Sequence, residues 1–344
     1  MKIVCTIGPA SESEEVINRL KANGMDYARI NFSHVEIDKA RELINKLKKL
    51  EVKIIIDTRG AEIRTGRLAI EPVYLKEGSL IEIFKGKILG DEHKFSLSND
   101  LALSSLNVGD KIKIDDLKIV LKVSKIEKEK VLTEVLKPGL LTSNRIVFFE
   151  SKPNTLSPLT KEDEELINYS IQHGIKDIVI SFIKSKKDVD YLRNKFKSKI
   201  NIIGKIECAE AIENLEEIIS SADSIWIDRF DLGSAVGFDK VPFLQKIIIQ
   251  ECKKRNKEVL VASHFLESMI SEENPTRAES NDIVNTILDG TDGFILAGET
   301  AKGRHPVESL TTLTALSKSV TQDKDIDLVS GTVLDKLKAL GYIE

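Results

Sequence analysis

Cysteine is scarce: Cys5, Cys208 and Cys252 are the only three in 344 residues, far apart and in no metal-ligand spacing. That excludes a disulfide scaffold and a cysteine zinc site, and leaves three reduced, small apolar side chains. Charge of one sign is also lacking. With 51 basic against 55 acidic residues the formal net charge is −4, so no general field for nucleic acid or another polyanion exists. No apolar run reaches the roughly 20 residues of a membrane span, and Met1 leads straight into a strand-like run rather than a signal peptide. A cytoplasmic protein with neither membrane nor nucleic-acid partners is expected. Neither a Walker P-loop nor a dinucleotide glycine fingerprint occurs, so any nucleotide is held another way.

What is present is a repeating alternation. Eight short, β-branched apolar runs recur at Lys2–Thr6, Asp26–Ile30, Val52–Asp57, Asp177–Ser181, Asn201–Ile206, Ser224–Asp228, Glu258–Ala262 and Gly293–Ala297. Amphipathic stretches long enough for helices separate most of them, including Glu36–Leu50, Lys186–Lys197, Ala209–Ser220, Val241–Asn256, Arg277–Leu288 and Pro306–Ser319. Ser11 and Glu14 form a capping-box pattern for the first helix. Eight such units are the count that closes a (β/α)8 TIM barrel, an α/β fold with its active site at the C-terminal strand ends. After the third strand the period switches to β-type alternation, as in Leu80–Phe84 and Lys111–Asp115, broken by turn signals such as Gly90-Asp91 and Lys137-Pro138-Gly139. The organisation expected is a barrel from 1–67 and 152–320, an inserted all-β lid domain at 68–151, and a short C-terminal tail at 321–344.

The reactive-looking clusters sit where the barrel strands end. On the fifth, Lys205 and Glu207 share a face. A lysine there could donate a proton if its pKa were lowered, and a carboxylate suits Mg²⁺ (or Mn²⁺); a simple ion pair would look the same. The sixth ends in Asp228-Arg229-Phe230-Asp231-Leu232-Gly233, where Asp231 would complete the metal site with Glu207 or else cap the following helix. Asn31, Ser33, Asp57 and Thr58 supply oxygens from two adjacent strands, a pattern suited to a monovalent cation. Arg29 and Arg64 offer planar guanidinium groups for phosphate. His34 reads as a surface or supporting residue.

The segments CTIGPAS, ARINFSH, DTRGAEIRTG, GKIE, DRFDLG, FLESMI, NPTRAESND and AGETAKG, in this order and spacing, resemble those of the pyruvate kinase family from Lys2 to Val320. The resemblance implies transfer of a phosphoryl group from phosphoenolpyruvate to ADP, giving pyruvate and ATP in glycolysis. It implies Lys205, Arg29 and Ser263 as catalytic residues, Ser263 standing for a threonine that positions the methylene carbon. Arg29, Arg64, Lys205, Arg229, Phe230, Asp231 and Ser263 would bind substrate and phosphate. Glu207 and Asp231 would hold Mg²⁺. Asn31, Ser33, Asp57 and Thr58 would hold K⁺, with Glu62 resembling the acid of K⁺-requiring members. A homodimer or higher homo-oligomer through the barrel helices after strands 6 and 7, without a C-terminal regulatory domain, is also implied.

Several positions depart from the family pattern. Asp228 and Phe230 stand where the family reads Ala and Gly, His264-Phe265 replaces Gln-Met, Cys208 replaces an asparagine and Arg59 a lysine. Phe230 adds bulk where a small residue lets backbone amides approach a substrate carboxylate. Two other readings follow: a Mg²⁺-dependent lyase or decarboxylase of a 2-oxo acid using the same enolate chemistry, and a non-catalytic sensor of a phosphorylated metabolite.

Overall fold

The computed structural model describes residues 1–60, 63–115, 118–149 and 157–322. Glu62, the expected boundary at residue 151 and the segment beyond Gln322 lie outside the described residues. Three strands open the chain, β1 (Lys2–Thr6), β2 (Tyr27–Asn31) and β3 (Ile54–Asp57), with α1 (Glu14–Ala22) and α2 (Ile37–Lys49) between them. Alternation resumes with α3 (Lys161–Gln172). It continues through β12 (Asp177–Ile180), α4 (Lys186–Phe196), β13 (Asn201–Ile206), α5 (Ala209–Glu213), α6 (Leu215–Ser221), β14 (Ser224–Asp228) and α7 (Arg229–Val236). The last units are α8 (Val241–Lys254), β15 (Glu258–Ala262), α9 (Arg277–Leu288), β16 (Gly293–Leu296), α10 (Gly298–Ala301) and α11 (Pro306–Gln322). The eight strands form one closed parallel barrel in the order β1-β16-β15-β14-β13-β12-β3-β2. This is the expected TIM-barrel architecture, with β1 pairing β16 from Lys2↔Gly293 to close it. Gly293 is required there, because a Cβ at that position would lie 2.2 Å from the Lys2 carbonyl oxygen.

Side-chain parity divides each strand's inner face into an apolar base and a polar top. Val4, Ile55, Val179, Ile203, Trp226, Leu260, Ala262 and Ile295 pack inside the barrel. Continuing two residues at a time along the same faces brings Asp57 after Ile55, Lys205 and Glu207 after Ile203, and Asp228 after Trp226. The other face of each strand carries residues such as Ile178, Ile202, Ile225 and Val259, packed with Leu166, Leu192, Ile218 and Ile248 of the helices. Burying such a side chain contributes about 1.5–3 kcal/mol, which makes the barrel a rigid platform for its polar rim.

Between β3 and α3 the described residues build eight further strands: β4 (Val73–Leu75), β5 (Leu80–Phe84), β6 (Lys94–Ser96), β7 (Lys111–Ile114), β8 (Ile119–Ile126), β9 (Lys130–Lys137), β10 (Gly139–Leu141) and β11 (Val147–Phe149). Six form a sheet in the order β11-β7-β8-β9-β5-β6, and β4 pairs with β10. They enclose a separate apolar cluster that includes Ile81, Phe95, Leu121 and Val135, and that also takes in Ile63, upstream of residue 68.

Local differences from the sequence reading have simple causes. Ser13, not Ser11, caps α1, its side chain accepting from the Val16 amide. Ser11 sits in the preceding turn, where its amide bonds the Gly8 carbonyl and its hydroxyl accepts from Gly8 N. The helix expected over Ala209–Ser220 breaks at Asn214, whose side chain donates to the Lys184 carbonyl. All three cysteines are free and buried. Among the described residues no helix is long and apolar enough to cross a membrane.

Candidate active site

A cleft of about 570 Å³ opens at the C-terminal end of the barrel and is walled on one side by the inserted strands. Arg29, Asn31, Ser33, His34, Lys205, Asp228, Phe230, Asp231, Ser263 and Lys302 line it from the barrel, and Arg64, Asn144, Arg145 and Phe148 from the insertion. Most residues singled out in the sequence thus converge on one cavity.

At its base lies a buried charge network. Lys205 Nζ is 3.2 Å from Asp57 Oδ1 and 3.3 Å from Glu207 Oε2. Arg29 grips the other side of Asp57, with Nε at 2.7 Å and a second nitrogen at 2.5 Å from Oδ2, while its Nη1 donates to Thr6 Oγ1. Ser181 completes the set, its hydroxyl donating to Asp57 Oδ1 at 3.1 Å and to the Thr58 carbonyl at 2.6 Å. The two carboxylates beside Lys205 respond in opposite directions. Burial opposes ionisation of Asp57, but Lys205 and Arg29 outweigh it and hold the carboxyl below its usual range. Glu207 is pushed well above its usual range, first by burial and then by Asp231, Asp228 and Asp57, with Lys205 opposing.

Lys205 corrects one sequence expectation. Burial alone would lower its pKa, but Asp57, Glu207 and Asp228 raise it above that of free lysine. The raised value keeps it an ammonium paired with Asp57 and Glu207. His34 is lowered, mainly by burial and then by Arg64, Arg29 and other cations, which favours a neutral imidazole.

Glu207, Asp228 and Asp231 bring one carboxylate oxygen each to within 4.8 Å of one another. Glu207 Oε1 accepts the Phe182 amide at 2.6 Å, whereas its buried Oε2 accepts no hydrogen bond and lies 3.3 Å from the Lys205 ammonium. Hard oxygen donors, excess negative charge and an oxygen lacking hydrogen bonds are the features a divalent cation matches. The monovalent-cation set fits in part. Asn31 and Ser33 reach the cleft wall, joined by the Ser33 amide donating to Asn31 Oδ1. Behind them the oxygens of Asp57 already serve Arg29, Lys205 and Ser181, and Thr58 Oγ1 accepts the Ser181 amide.

Arg229 is the clearest departure from the expected phosphate contacts. Its guanidinium makes two bonds to Asp282 of α9, at 2.7 and 3.0 Å, and donates from Nε at 3.0 Å and Nη2 at 2.5 Å to the Ser263 carbonyl. It also lies over the Phe265 ring at 3.9 Å. With its donors engaged on the protein it positions the top of β15, where Ser263 and His264 adopt left-handed φ values of 80° and 58°. Phe230 and His264 meet edge to face at 5.2 Å beside the cleft. Asp228 caps α7, its Oδ1 accepting from the Phe230 amide at 3.2 Å and from the Ser263 hydroxyl at 2.7 Å.

Three supporting residues escaped the sequence reading. Ser181 ties β12 to Asp57. Asp163 of α3 accepts the amides of Arg59 and Gly60 and fixes the turn after β3. Glu299 accepts the amides of Leu266 and Ala297, joining the ends of β15 and β16. Each has a partner far away in the sequence, Asp57 for Ser181, Arg59 and Gly60 for Asp163 and Leu266 for Glu299, for which local pattern gives no signal.

The sequence matches the family described as pyruvate kinase, barrel domain, over residues 1–310. It is 37% identical over 324 residues to a pyruvate kinase of Geobacillus stearothermophilus, covering 91% of this chain and 55% of that protein. A Staphylococcus saprophyticus pyruvate kinase is 37% identical over 337 residues, 94% of this chain and 57% of that one. The crystal structure of a pyruvate kinase from Cryptosporidium parvum superposes with a TM-score of 0.87 at 30% identity, covering 95% of this chain and 70% of that one. The chain spans about half the length of the curated relatives it matches.

Proposed function

The chain belongs to the pyruvate kinase family, and on that premise we propose that it moves a phosphoryl group from phosphoenolpyruvate to ADP, yielding pyruvate and ATP in glycolysis. The observation that carries this reading is Lys205, a buried ammonium between Asp57 and Glu207 at the base of a cleft that Arg29 and Arg64 also line. A transferring phosphoryl group spreads negative charge over its oxygens, and cations fixed beforehand in a site of low dielectric stabilise that charge without reorganising. In this proposal Lys205 and Arg29 face the phosphoryl group, Arg64 reaches it from the segment that leads from β3 into the inserted strands, and Ser263 orients the enolate carbon. Arg229 holds Ser263 in place instead of touching phosphate.

Glu207 and Asp231 would hold Mg²⁺ or Mn²⁺, which when bound would draw charge from the phosphoryl and enolate oxygens. Relieved of part of its carboxylate pairing, Lys205 would then give up its proton more readily to the enolate. Asn31, Ser33, Asp57 and Thr58 are proposed for K⁺. The inserted strands at 68–151 are proposed as a lid that excludes water from the cleft. A homodimer or higher homo-oligomer through the barrel is proposed because α8 and its leading turn leave Phe238, Phe243 and Ile247 exposed, Phe243 by 72%; a cytoplasmic location is proposed with it.

Pyruvate formation from phosphoenolpyruvate and ADP, coupled to NADH oxidation, tests the reaction beside Lys205→Met. Loss of one preorganised donor of this kind typically costs about 10²–10³-fold in kcat. Turnover that persists in the variant would overturn the assignment of Lys205, and no turnover in the parent protein would overturn the reaction. One observation favours a second reading, a lyase acting on a 2-oxo acid. The Phe230 amide and Ser263 hydroxyl, neutral donors suited to a substrate carboxylate, are already bonded to Asp228. Release of carbon dioxide from oxaloacetate, with no turnover of phosphoenolpyruvate and ADP, would establish that alternative.

A further inference from the structure

We propose that Asp228 is a third metal-facing carboxylate, so that this chain binds a divalent cation in the absence of substrate through Glu207, Asp231 and Asp228 together. The proposal rests on the reading of Glu207 and Asp231 as a metal site and adds to it a residue at which the chain departs from the family pattern.

Asp228 ends β14 on the same inner face as Trp226, which aims its side chain at the barrel mouth. It is 8% exposed and lines the cleft. Its hydrogen bonds from the Phe230 amide and the Ser263 hydroxyl both fall on Oδ1. Among the described residues no hydrogen bond engages Oδ2. Oδ2 is therefore left to the cleft, where a cation can reach it without disturbing the cap on Oδ1. Glu207 Oε2, buried and without a hydrogen bond, lies in the same cluster, whose three acids offer oxygens within 4.8 Å of one another.

The charge balance points the same way. Asp57, Glu207, Asp228 and Asp231 face two buried cations, Arg29 and Lys205, and Arg29 is spent on Asp57. Acidic side chains thus outnumber the buried cations where the three oxygens converge. The cap geometry also leaves Asp228 fixed for the task. The bonds on Oδ1 lock its rotamer, so little side-chain freedom is lost when Oδ2 takes a cation.

The test is titration of the whole protein with Mn²⁺ alone, without substrate or nucleotide, followed by electron paramagnetic resonance or calorimetry. Asp228→Asn keeps an acceptor for the Phe230 amide and Ser263 hydroxyl while removing the charge, and Asp228→Ala removes both. Glu207→Gln serves as the reference for loss of the site. The expected result is one Mn²⁺ bound by the parent, affinity at least tenfold weaker in both Asp228 variants, and binding lost in Glu207→Gln. A melting temperature for Asp228→Asn in EDTA equal to the parent's would show that the loss is not one of folding. Asp228→Asn that binds Mn²⁺ as tightly as the parent, with Glu207→Gln unable to bind, would overturn this inference alone and leave Asp228 as a cap. A parent protein that binds no Mn²⁺ would overturn the metal site itself and the inference with it.

Discussion

Lys205 and Asp57, 148 residues apart in the chain, meet in full burial at 3.2 Å, with Arg29 on the far side of the same carboxylate. Asp57 is therefore held by two cations, whereas Glu207 shares one cation with three other acids. Asp57→Asn removes the shared counter-charge and leaves Arg29 and Lys205 buried with poorer partners. Taking one member from a buried ion pair strands the remaining charge, and a loss of about 3 kcal/mol is expected. Urea unfolding checks it; a midpoint within error of the parent would refute the central role given to Asp57.

Arg229→Lys tests the assignment of Arg229 to positioning. Lysine can bond Asp282 or the Ser263 carbonyl but not span both, and it loses the planar stack on Phe265. A stability loss of about 2 kcal/mol is expected from the charge-assisted bonds. Because Ser263 would lose its anchor, kcat is expected to fall more than KM rises. A large rise in KM at unchanged kcat would instead return Arg229 to the substrate.

The barrel was legible because its signal is local. β-branched runs and helical periodicity recur eight times, and four strands, at Lys2–Thr6, Asn201–Ile206, Ser224–Asp228 and Glu258–Ala262, carry the expected bounds. The facing of Lys205 and Glu207 followed from strand parity alone, and they lie 3.3 Å apart. The pKa of Lys205 did not follow, because its raising depends on Asp57 and Asp228 arriving from other strands. The partners of Arg229 were hidden for the same reason. Sequence showed a guanidinium at a strand end, but only the folded barrel brings Asp282 of α9 and the Ser263 carbonyl to it. Residue type and parity were readable, whereas pairing across the barrel mouth was not.

Phe230→Ala tests whether the ring narrows the cleft. The ring packs edge-on to His264 and lines the same cavity as Ser263 and Asp231. If it crowds the substrate, removing it is expected to lower KM for phosphoenolpyruvate about tenfold with kcat little changed, the scale of a modest steric change in a pocket. A higher KM would show that the ring supports the substrate.

Glu207 gives the last prediction, in which pH and metal act on one group. Its folded-state pKa lies above the ordinary value because burial and the neighbouring acids oppose its charge. From about pH 4.5 upward the unfolded chain releases this proton while the folded protein keeps it, so stability falls as pH rises toward the folded value. Asp57 behaves oppositely: its depressed value contributes stability above the ordinary carboxylate range that is lost only in stronger acid. Asp163 is also raised, chiefly by burial, and adds to any downward slope, so the contribution of Glu207 is isolated only by difference. Glu207→Gln, which never ionises, is expected to be more stable than the parent in EDTA by about 1 kcal/mol, in the manner of charged functional residues held at a cost to the fold. That advantage should grow as pH rises from the ordinary carboxylate range toward the folded value. Saturating Mg²⁺ supplies the missing positive charge, so it should raise the melting temperature of the parent, flatten its pH dependence and leave Glu207→Gln unmoved. A variant less stable than the parent throughout in EDTA would mean that Glu207 is retained for its bond to Lys205 rather than for a cation.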